Sequence, residues 1–79
     1  MIGFFWNPRG LNRPDKLNRT GDLIRDNHPD LISFSETKKE EFTALQLHIL
    51  DSYDTYMWTW LPAIGSAGGI LVGINSDMF

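Results

Sequence analysis

At 79 residues, with a hydrophobic content of 42% and an aromatic content of 13%, the chain has the composition of a small globular domain rather than of a disordered protein. The absence of Cys excludes a disulfide framework, and two His separated by twenty positions exclude a zinc-type ligand spacing. The net charge of -3 argues against bulk affinity for nucleic acid, although residues 1–21 carry four cations and one acid, a local charge of +3.

The first half of the chain predicts a strand, a helix and a second strand. Ile2–Trp6 has aromatic side chains on both faces, which indicates a strand buried between two layers, and residues 7–10 predict a loop at its C-terminal end. The helix spans Pro14 to about Asn27, because Pro suits a first helical position and apolar residues recur at helical spacing. Leu31–Phe34 predicts the second strand, and this element order favours two parallel neighbouring strands.

A single carboxylate, Glu36, follows the second strand. Thr37 and Glu40 then fit a Thr-x-x-Glu capping box, which predicts that a second helix begins at once and runs from about Lys38 to Asp51. Glu36 is therefore predicted to lie between the C-terminal end of a strand and the N-terminal end of a helix. Ligands of open α/β sheets tend to bind at such positions.

The last part of the chain predicts two more strands. Ser52–Leu61 alternates aromatic with other side chains, which indicates a strand with one aromatic face turned to the core. Ala63–Gly69 predicts a flexible turn into a buried strand, Ile70–Ile74, that pairs with the aromatic strand as a hairpin. The complete order, strand-helix-strand-helix-strand-strand, is that of an α/β fold.

Spacing alone gathers Asn7, Arg9 and Glu36 at the C-terminal rim of two adjacent strands. One carboxylate with an amide suits a hard cation such as Mg²⁺, which keeps several waters and shares its remaining positions with a substrate phosphate. A lone Glu at a strand end is nevertheless a solvated charge in most proteins, so spacing alone leaves that alternative open.

Three segments carry a family resemblance: Phe5–Leu11, Pro29–Lys38 and Gly65–Ile70. Together they resemble the N-terminal part of the endonuclease/exonuclease/phosphatase superfamily, which includes deoxyribonuclease-I-like nucleases and apurinic/apyrimidinic (AP) endonucleases. The likeness is greatest to the endonuclease domain of plant LINE-type non-LTR retrotransposons, whose chains often carry Trp-Asn-x-Arg-Gly-Leu and, later, Glu-Thr-Lys. The resemblance implies a truncated domain over residues 1–79, the N-terminal part of a two-sheet α/β sandwich.

The resemblance also implies roles for individual residues. Asn7 would orient the scissile phosphate, and Glu36 would ligate Mg²⁺. Arg9 stands where many members have Asp or Asn, and contact with the DNA phosphate backbone is expected for Arg9, Arg13 and Lys16. A close passage of the next strand past its neighbours is expected at the paired glycines that precede Ile70.

The motifs that the family places in its later half are missing from this sequence. They comprise an Asp-x-Asn pair, a further Asp, and an Asp-His pair that activates the attacking water; the chain has no His after His48. We therefore expect an N-terminal fragment of a Mg²⁺-dependent DNA phosphodiesterase that is inactive by itself. The alternative is a non-catalytic fragment that binds nucleic acid through its basic N-terminal third, or binds a protein or a second copy through an exposed sheet edge.

No apolar run reaches the roughly 18 residues that a membrane span requires. Ile2–Trp6 is also too short for a signal peptide and lacks its basic lead-in. The sequence therefore predicts an intracellular protein, nuclear or cytoplasmic, with no membrane partner.

Overall fold

The computed structural model describes residues 2–65 and 67–78, which form one mixed four-stranded sheet with two helices packed on one of its faces. The predicted order of elements is confirmed, and with it the α/β fold class. The elements are β1 (Gly3–Trp6), α1 (Pro14–Asn27), β2 (Leu31–Ser35), α2 (Ala44–Leu50), β3 (Tyr56–Leu61), β4 (Ile70–Asn75) and a short 3-10 helix (Ser76–Met78).

The strands lie in the order β1-β2-β4-β3. β1 and β2 are parallel neighbours, as the strand-helix-strand order predicts, and Trp6 lies opposite Phe34. β4 is antiparallel to both β2 and β3, so the predicted hairpin between the last two strands is confirmed. Because β1 and β2 are parallel, the residues that follow them emerge at the same edge of the sheet.

Helix α1 has the predicted bounds, because both of its ends carry local signals. Pro14 occupies its first turn, and His28 ends it in a left-handed conformation with φ of 46°, its amide donating to the Ile24 carbonyl. A Cβ atom at Gly21 would collide with the backbone carbonyl of Ile49, so this glycine allows α1 to approach α2 closely.

Helix α2 begins six residues later than predicted, and the proposed Thr37–Glu40 capping box is wrong. The observed box uses Thr43: its hydroxyl accepts from the Gln46 amide at 3.1 Å, while the Gln46 side-chain oxygen accepts from the Thr43 amide at 3.0 Å. The segment after Glu36 is instead held by neighbouring chain segments, as described below, which prevents a helix from starting there.

The two faces of the sheet differ in their surroundings. The face toward the helices carries the core, formed by the buried residues Leu11, Leu17, Ile24, Ile32, Phe34, Phe42, Leu50, Tyr56 and Leu71. Trp58 and Trp60 pack against this core, which confirms that the aromatic face of β3 turns inward.

The opposite face, which we call the open face, consists of the alternate residues of all four strands. They are Gly3, Phe5, Leu31, Ser33, Ser35, Met57, Thr59, Leu61, Ile70, Val72 and Ile74. The prediction that β1 is buried between two layers is wrong here, because β1 lies at an edge of the sheet and its Phe5 is 68% exposed. Within the described residues, no helix combines the length and apolar character needed to cross a membrane.

Candidate functional site

The structure brings Asn7 and Glu36 together at the C-terminal rim of the parallel strands. Asn7 directly follows β1 and Glu36 directly follows β2, so the pairing of the two strands carries both side chains to the same edge. The Asn7 side-chain amide Nδ2 donates to Glu36 Oε2 at 3.3 Å, and both residues are exposed. An amide and a carboxylate are thus joined on a surface that a ligand can reach.

A tight turn after β1 fixes the orientation of the Asn7 amide. The Arg9 backbone amide donates to Asn7 Oδ1 at 3.0 Å, so the oxygen of Asn7 is turned toward the loop and its NH₂ group toward Glu36. The next amides along the chain, of Gly10 and Leu11, donate to the carbonyls of Glu36 and Thr37 at 2.9 and 2.8 Å. The loop after β1 therefore continues the pairing of β1 with β2 beyond the strand ends.

The glycine segment before β4 holds the other side of the same loop. The amides of Thr37 and Lys38 donate to the carbonyls of Gly69 and Gly68 at 3.1 and 2.8 Å. Gly69 has a φ of 90°, and a Cβ atom there would collide with the Thr37 hydroxyl, so the close passage expected at the paired glycines is found at Gly69. Bonds from two sides thus hold residues 36–38 in a non-helical conformation.

Backbone strain is concentrated at this rim. Arg9, Glu36 and Lys38 have φ values of 56°, 52° and 58°, in the left-handed region that residues other than glycine rarely adopt. Each such residue costs of order 1 kcal/mol and persists only where the surroundings enforce it. Here the backbone bonds on both sides of residues 36–38 supply that constraint and fix the direction of the Glu36 side chain.

The three cations predicted to contact phosphate have different surroundings. Arg9 is exposed at the tip of the loop after β1. Arg13, which directly precedes α1, pairs with Asp15 in the first turn of the helix at 3.2 Å. Both side chains are largely exposed. The Lys16 ammonium is turned back to the loop and donates to the carbonyls of Pro8 and Arg9, each at 3.1 Å.

Sequence reasoning missed two residues that tie the loops of the rim together. Asn12 donates through Nδ2 to the Lys38 carbonyl at 3.0 Å and accepts from the Lys39 ammonium at 3.3 Å. Lys39 is only 8% exposed, with its ammonium 5.3 Å from the centre of the Phe42 ring. Two adjacent lysines in a polar stretch carry no local signal that one of them is buried, since the partner comes from a distant loop.

Comparison with known proteins finds similar folds among solved structures only. No protein-family model matches the chain, and no curated protein matches it. Among solved structures, the AP endonuclease LMAP from Leishmania major matches 96% of this chain with 24% of its own, at a TM-score of 0.72 and 21% identity. The chain's α/β fold matches part of an AP endonuclease fold.

Two further structures agree with that match. The 3′ phosphatase NExo from Neisseria, solved with a product DNA hairpin, matches 94% of this chain with 27% of its own, at a TM-score of 0.72 and 24% identity. An AP endonuclease from Archaeoglobus fulgidus matches 92% with 27% of its own, at a TM-score of 0.67 and 20% identity. These neighbours belong to the endonuclease/exonuclease/phosphatase superfamily, and the chain spans about a quarter of their length.

The side chains at the rim of this AP endonuclease-like sheet fit one kind of metal site. Among residues 2–65 and 67–78, no three His, Asp or Glu side chains lie close enough together to hold a metal by themselves. Mg²⁺ does not need such a cage, because it keeps several waters and is usually held by one or two carboxylates together with substrate phosphate. The exposed Glu36 carboxylate therefore fits one Mg²⁺ ligand, while the remaining positions would have to come from water, phosphate or other groups.

Proposed function

We propose that this chain is the N-terminal part of a Mg²⁺-dependent DNA phosphodiesterase domain of the endonuclease/exonuclease/phosphatase superfamily and does not cleave DNA by itself. The observation that carries the proposal is the hydrogen bond between Asn7 and Glu36 at the carboxyl ends of two parallel strands. It lies in a sheet that matches part of an AP endonuclease fold. The Trp-Asn-x-Arg-Gly-Leu and Glu-Thr-Lys motifs further favour kinship with the endonuclease domain of plant LINE-type retrotransposons.

Each rim residue has a role in this proposal. Glu36 holds Mg²⁺ through its exposed carboxylate, and the bound cation supplies charge neutralisation at the phosphate. Asn7 points its NH₂ group toward that position because the Arg9 amide holds the Asn7 oxygen, so it is oriented to donate to a phosphate oxygen. No His follows His48 to take a proton from the attacking water, which is why we propose that the chain alone is inactive.

DNA is the proposed partner, bound through its phosphates. The first 21 residues carry a local charge of +3, and Arg9 is exposed beside the rim. Arg13 can leave Asp15 and bind a phosphate with little loss of free energy, because an exposed ion pair contributes only about 0 to 1 kcal/mol to stability. Lys16 adds positive charge next to Arg9, and the salt dependence of Lys16→Met decides whether it also contacts phosphate. An intracellular location, in the nucleus or the cytoplasm, stays part of the proposal.

The proposal is tested with duplex DNA. We expect purified chain to leave supercoiled plasmid intact in the presence of Mg²⁺, and to bind a short fluorescent duplex with an affinity that falls steeply as salt rises. Arg9→Gln should lower the slope of log affinity against log salt by about 1, the value expected for one phosphate contact. Arg25→Gln is the control, because Arg25 lies in the last turn of α1, away from the rim, and pairs with Asp22.

Two outcomes would contradict parts of the proposal. Nicking of the plasmid that disappears in Glu36→Ala would show that the chain is an active nuclease by itself. Duplex binding that is equally strong at every salt concentration, or that is absent at the lowest one, would remove the DNA phosphate backbone as a partner.

A second candidate function, protein binding without catalysis, is favoured by the open face and by the edge position of β1. The partner could be a second copy of the chain, which would pair through the sheet. Phosphate binding weakens steeply with salt, whereas association through a sheet edge or an apolar face does not. The salt dependence of complex formation therefore separates the two functions.

A further inference from the structure

The Lys16 side chain spans the gap between helix α1 and the loop that carries Asn7. Lys16 lies in the first turn of α1, is half-buried, and donates from its ammonium to two consecutive carbonyls, of Pro8 and Arg9, each at 3.1 Å. Both bonds are charge-assisted, so each is stronger than a bond between neutral groups. An ammonium has three donors, and two of them are engaged in this arrangement.

One peptide group links Lys16 to the proposed site. The Pro8 carbonyl, which accepts from Lys16, and the Arg9 amide, which donates to Asn7 Oδ1, belong to the same planar peptide unit. Fixing the carbonyl end of this plane therefore fixes the direction of its N–H end. A cation on the carbonyl also polarises the peptide, which strengthens its amide as a donor.

A chain of hydrogen bonds continues from that peptide to Glu36. The Arg9 amide holds the oxygen of Asn7, which turns the Asn7 NH₂ group to Glu36 Oε2 at 3.3 Å. The second Lys16 bond, to the Arg9 carbonyl, restrains the residue whose φ of 56° closes the turn. The backbone conformation that orients Asn7 is thus held from α1 by one side chain.

We propose that Lys16 is a positioning residue, which orients Asn7 through the Pro8–Arg9 peptide rather than contacting DNA phosphate itself. The inference rests on the proposed function, in that Asn7 and Glu36 are taken as the site whose geometry Lys16 maintains.

The test compares ¹⁵N-labelled wild-type chain with Lys16→Met, Lys16→Arg and the control Arg19→Met, which removes an exposed cation from the same helix. We expect Lys16→Met to speed hydrogen exchange of the Arg9 amide at least about fivefold, since the loss of one hydrogen bond has an effect of that size. It should also shift the Asn7 side-chain amide signals. Lys16→Arg, which keeps two donors for the carbonyls, should restore protection to within about threefold, and Arg19→Met should match the wild type.

The salt dependence of duplex binding distinguishes a positioning role of Lys16 from a direct contact with phosphate. A positioning Lys16 leaves the slope of log affinity against log salt unchanged in Lys16→Met, whereas a phosphate contact lowers it by about 1. The proposal is overturned if that slope falls while the Arg9 and Asn7 signals stay as in wild type, or if Lys16→Arg is as unprotected as Lys16→Met. If wild-type chain binds neither Mg²⁺ nor DNA, the proposed function fails, and the exchange of the Arg9 amide still decides the role of Lys16.

Discussion

Asp51 joins helix α2 to strand β3 through a buried carboxylate. It caps the C-terminal end of α2 and is 6% exposed. Its two oxygens accept from the Thr55 amide at 2.9 Å, the Tyr56 amide at 2.9 Å and the Trp58 indole Nε1 at 3.2 Å. This one side chain thus satisfies three donors, of which the Tyr56 amide is buried and the other two are partly buried.

Asp51→Asn should destabilise the fold by about 2 to 4 kcal/mol, because the new NH₂ group faces donors and leaves at least one of them unpaired. Asp54→Asn is the matched control: Asp54 is exposed with a φ of 51°, which Asn tolerates as well as Asp. Urea unfolding of the two variants measures the difference. Equal midpoints for Asp51→Asn and Asp54→Asn would show that the carboxylate does not hold the two elements together.

Tyr56 gives the fold an alkaline limit. Burial raises the pKa of its hydroxyl above 10.0, and the nearby carboxylates of Asp51 and Asp30 raise it further. The neutral hydroxyl donates to the Pro29 carbonyl at 2.6 Å. Because the unfolded chain loses this proton at lower pH than the folded chain, the contribution of Tyr56 to stability is complete below about pH 10 and is lost as the pH rises above it.

Thermal unfolding midpoints measured from neutral pH to above pH 10 test this sign. We expect the midpoint of the wild type to fall at the alkaline end and that of Tyr56→Phe, though lower at neutral pH, to fall less steeply. Tyr53→Phe, which changes an exposed tyrosine, should retain the wild-type slope. If the midpoint of Tyr56→Phe falls with pH as steeply as that of the wild type, another group causes the loss of stability at high pH.

The positions of Asn7 and Glu36 could be predicted from sequence because each directly follows an apolar strand and the two strands were expected to be parallel. The surroundings of Lys16 and Lys39 could not. The Lys16 ammonium is held by carbonyls 7 and 8 residues away in sequence, and the Lys39 ammonium by Asn12, 27 residues away. Tertiary packing decides such contacts.

At the scale of elements, local signals decide where prediction succeeds. Helix α1, predicted from Pro14 to about Asn27, has these bounds because Pro14 starts it and His28 with Pro29 ends it. The start of α2 was not, because two candidate caps lie six residues apart and only one is available for capping. The Thr37 amide instead donates to the Gly69 carbonyl, which leaves Thr43 as the cap.

The paired glycines before β4 allow the contact between residues 37 and 69 to be tested. Gly68 and Gly69 have φ values of 76° and 90°, but an added Cβ atom has open space at Gly68 and meets the Thr37 hydroxyl at Gly69. Gly68→Ala should therefore cost only the strain of a left-handed alanine, about 1 to 2 kcal/mol. Gly69→Ala should cost about 1 to 3 kcal/mol more, because residues 37 and 69 must also move apart.

Chemical denaturation compares the two alanine variants, and the amide signals of Thr37 and Lys38 report the local geometry. Displacement of these signals in Gly69→Ala but not in Gly68→Ala is the expected pattern. Equal destabilisation by the two substitutions would contradict the close contact between the glycine segment and residue 37.

For the whole molecule, the main consequence of the fold is an apolar sheet face without a covering layer in the described part of the chain. The open face carries the exposed side chains of Phe5, Met57, Leu61 and Ile70, and every position on it is uncharged. Aromatic residues on both sides of β1 predicted burial on both sides, and the prediction failed on the outer side because the helices pack on the other one. Burial depends on what packs against a strand, which the strand's own sequence does not contain.

The open face should make the chain bind a hydrophobic dye and self-associate. The double substitution Phe5→Ser, Met57→Ser should reduce both, and analytical ultracentrifugation with dye fluorescence measures them. Leu45→Ser is the control, because Leu45 on α2 is as exposed as Phe5, at 68%, but lies off the open face. A monomeric wild type with a sharp cooperative transition and no dye binding would contradict this expectation.

Binding of a divalent cation by Glu36, beside Asn7, is what a phosphodiesterase site at this rim requires. Mn²⁺ is a paramagnetic substitute for Mg²⁺, so titrating it into labelled chain locates the bound cation by the signals that broaden. We predict that Glu36, Thr37 and the Asn7 side chain broaden first, that excess Mg²⁺ restores them, and that Glu36→Gln abolishes the effect while Glu41→Gln, a loss of the same charge on the same loop, does not. Broadening that is centred elsewhere, or that persists in Glu36→Gln, would contradict a metal-dependent function for this chain.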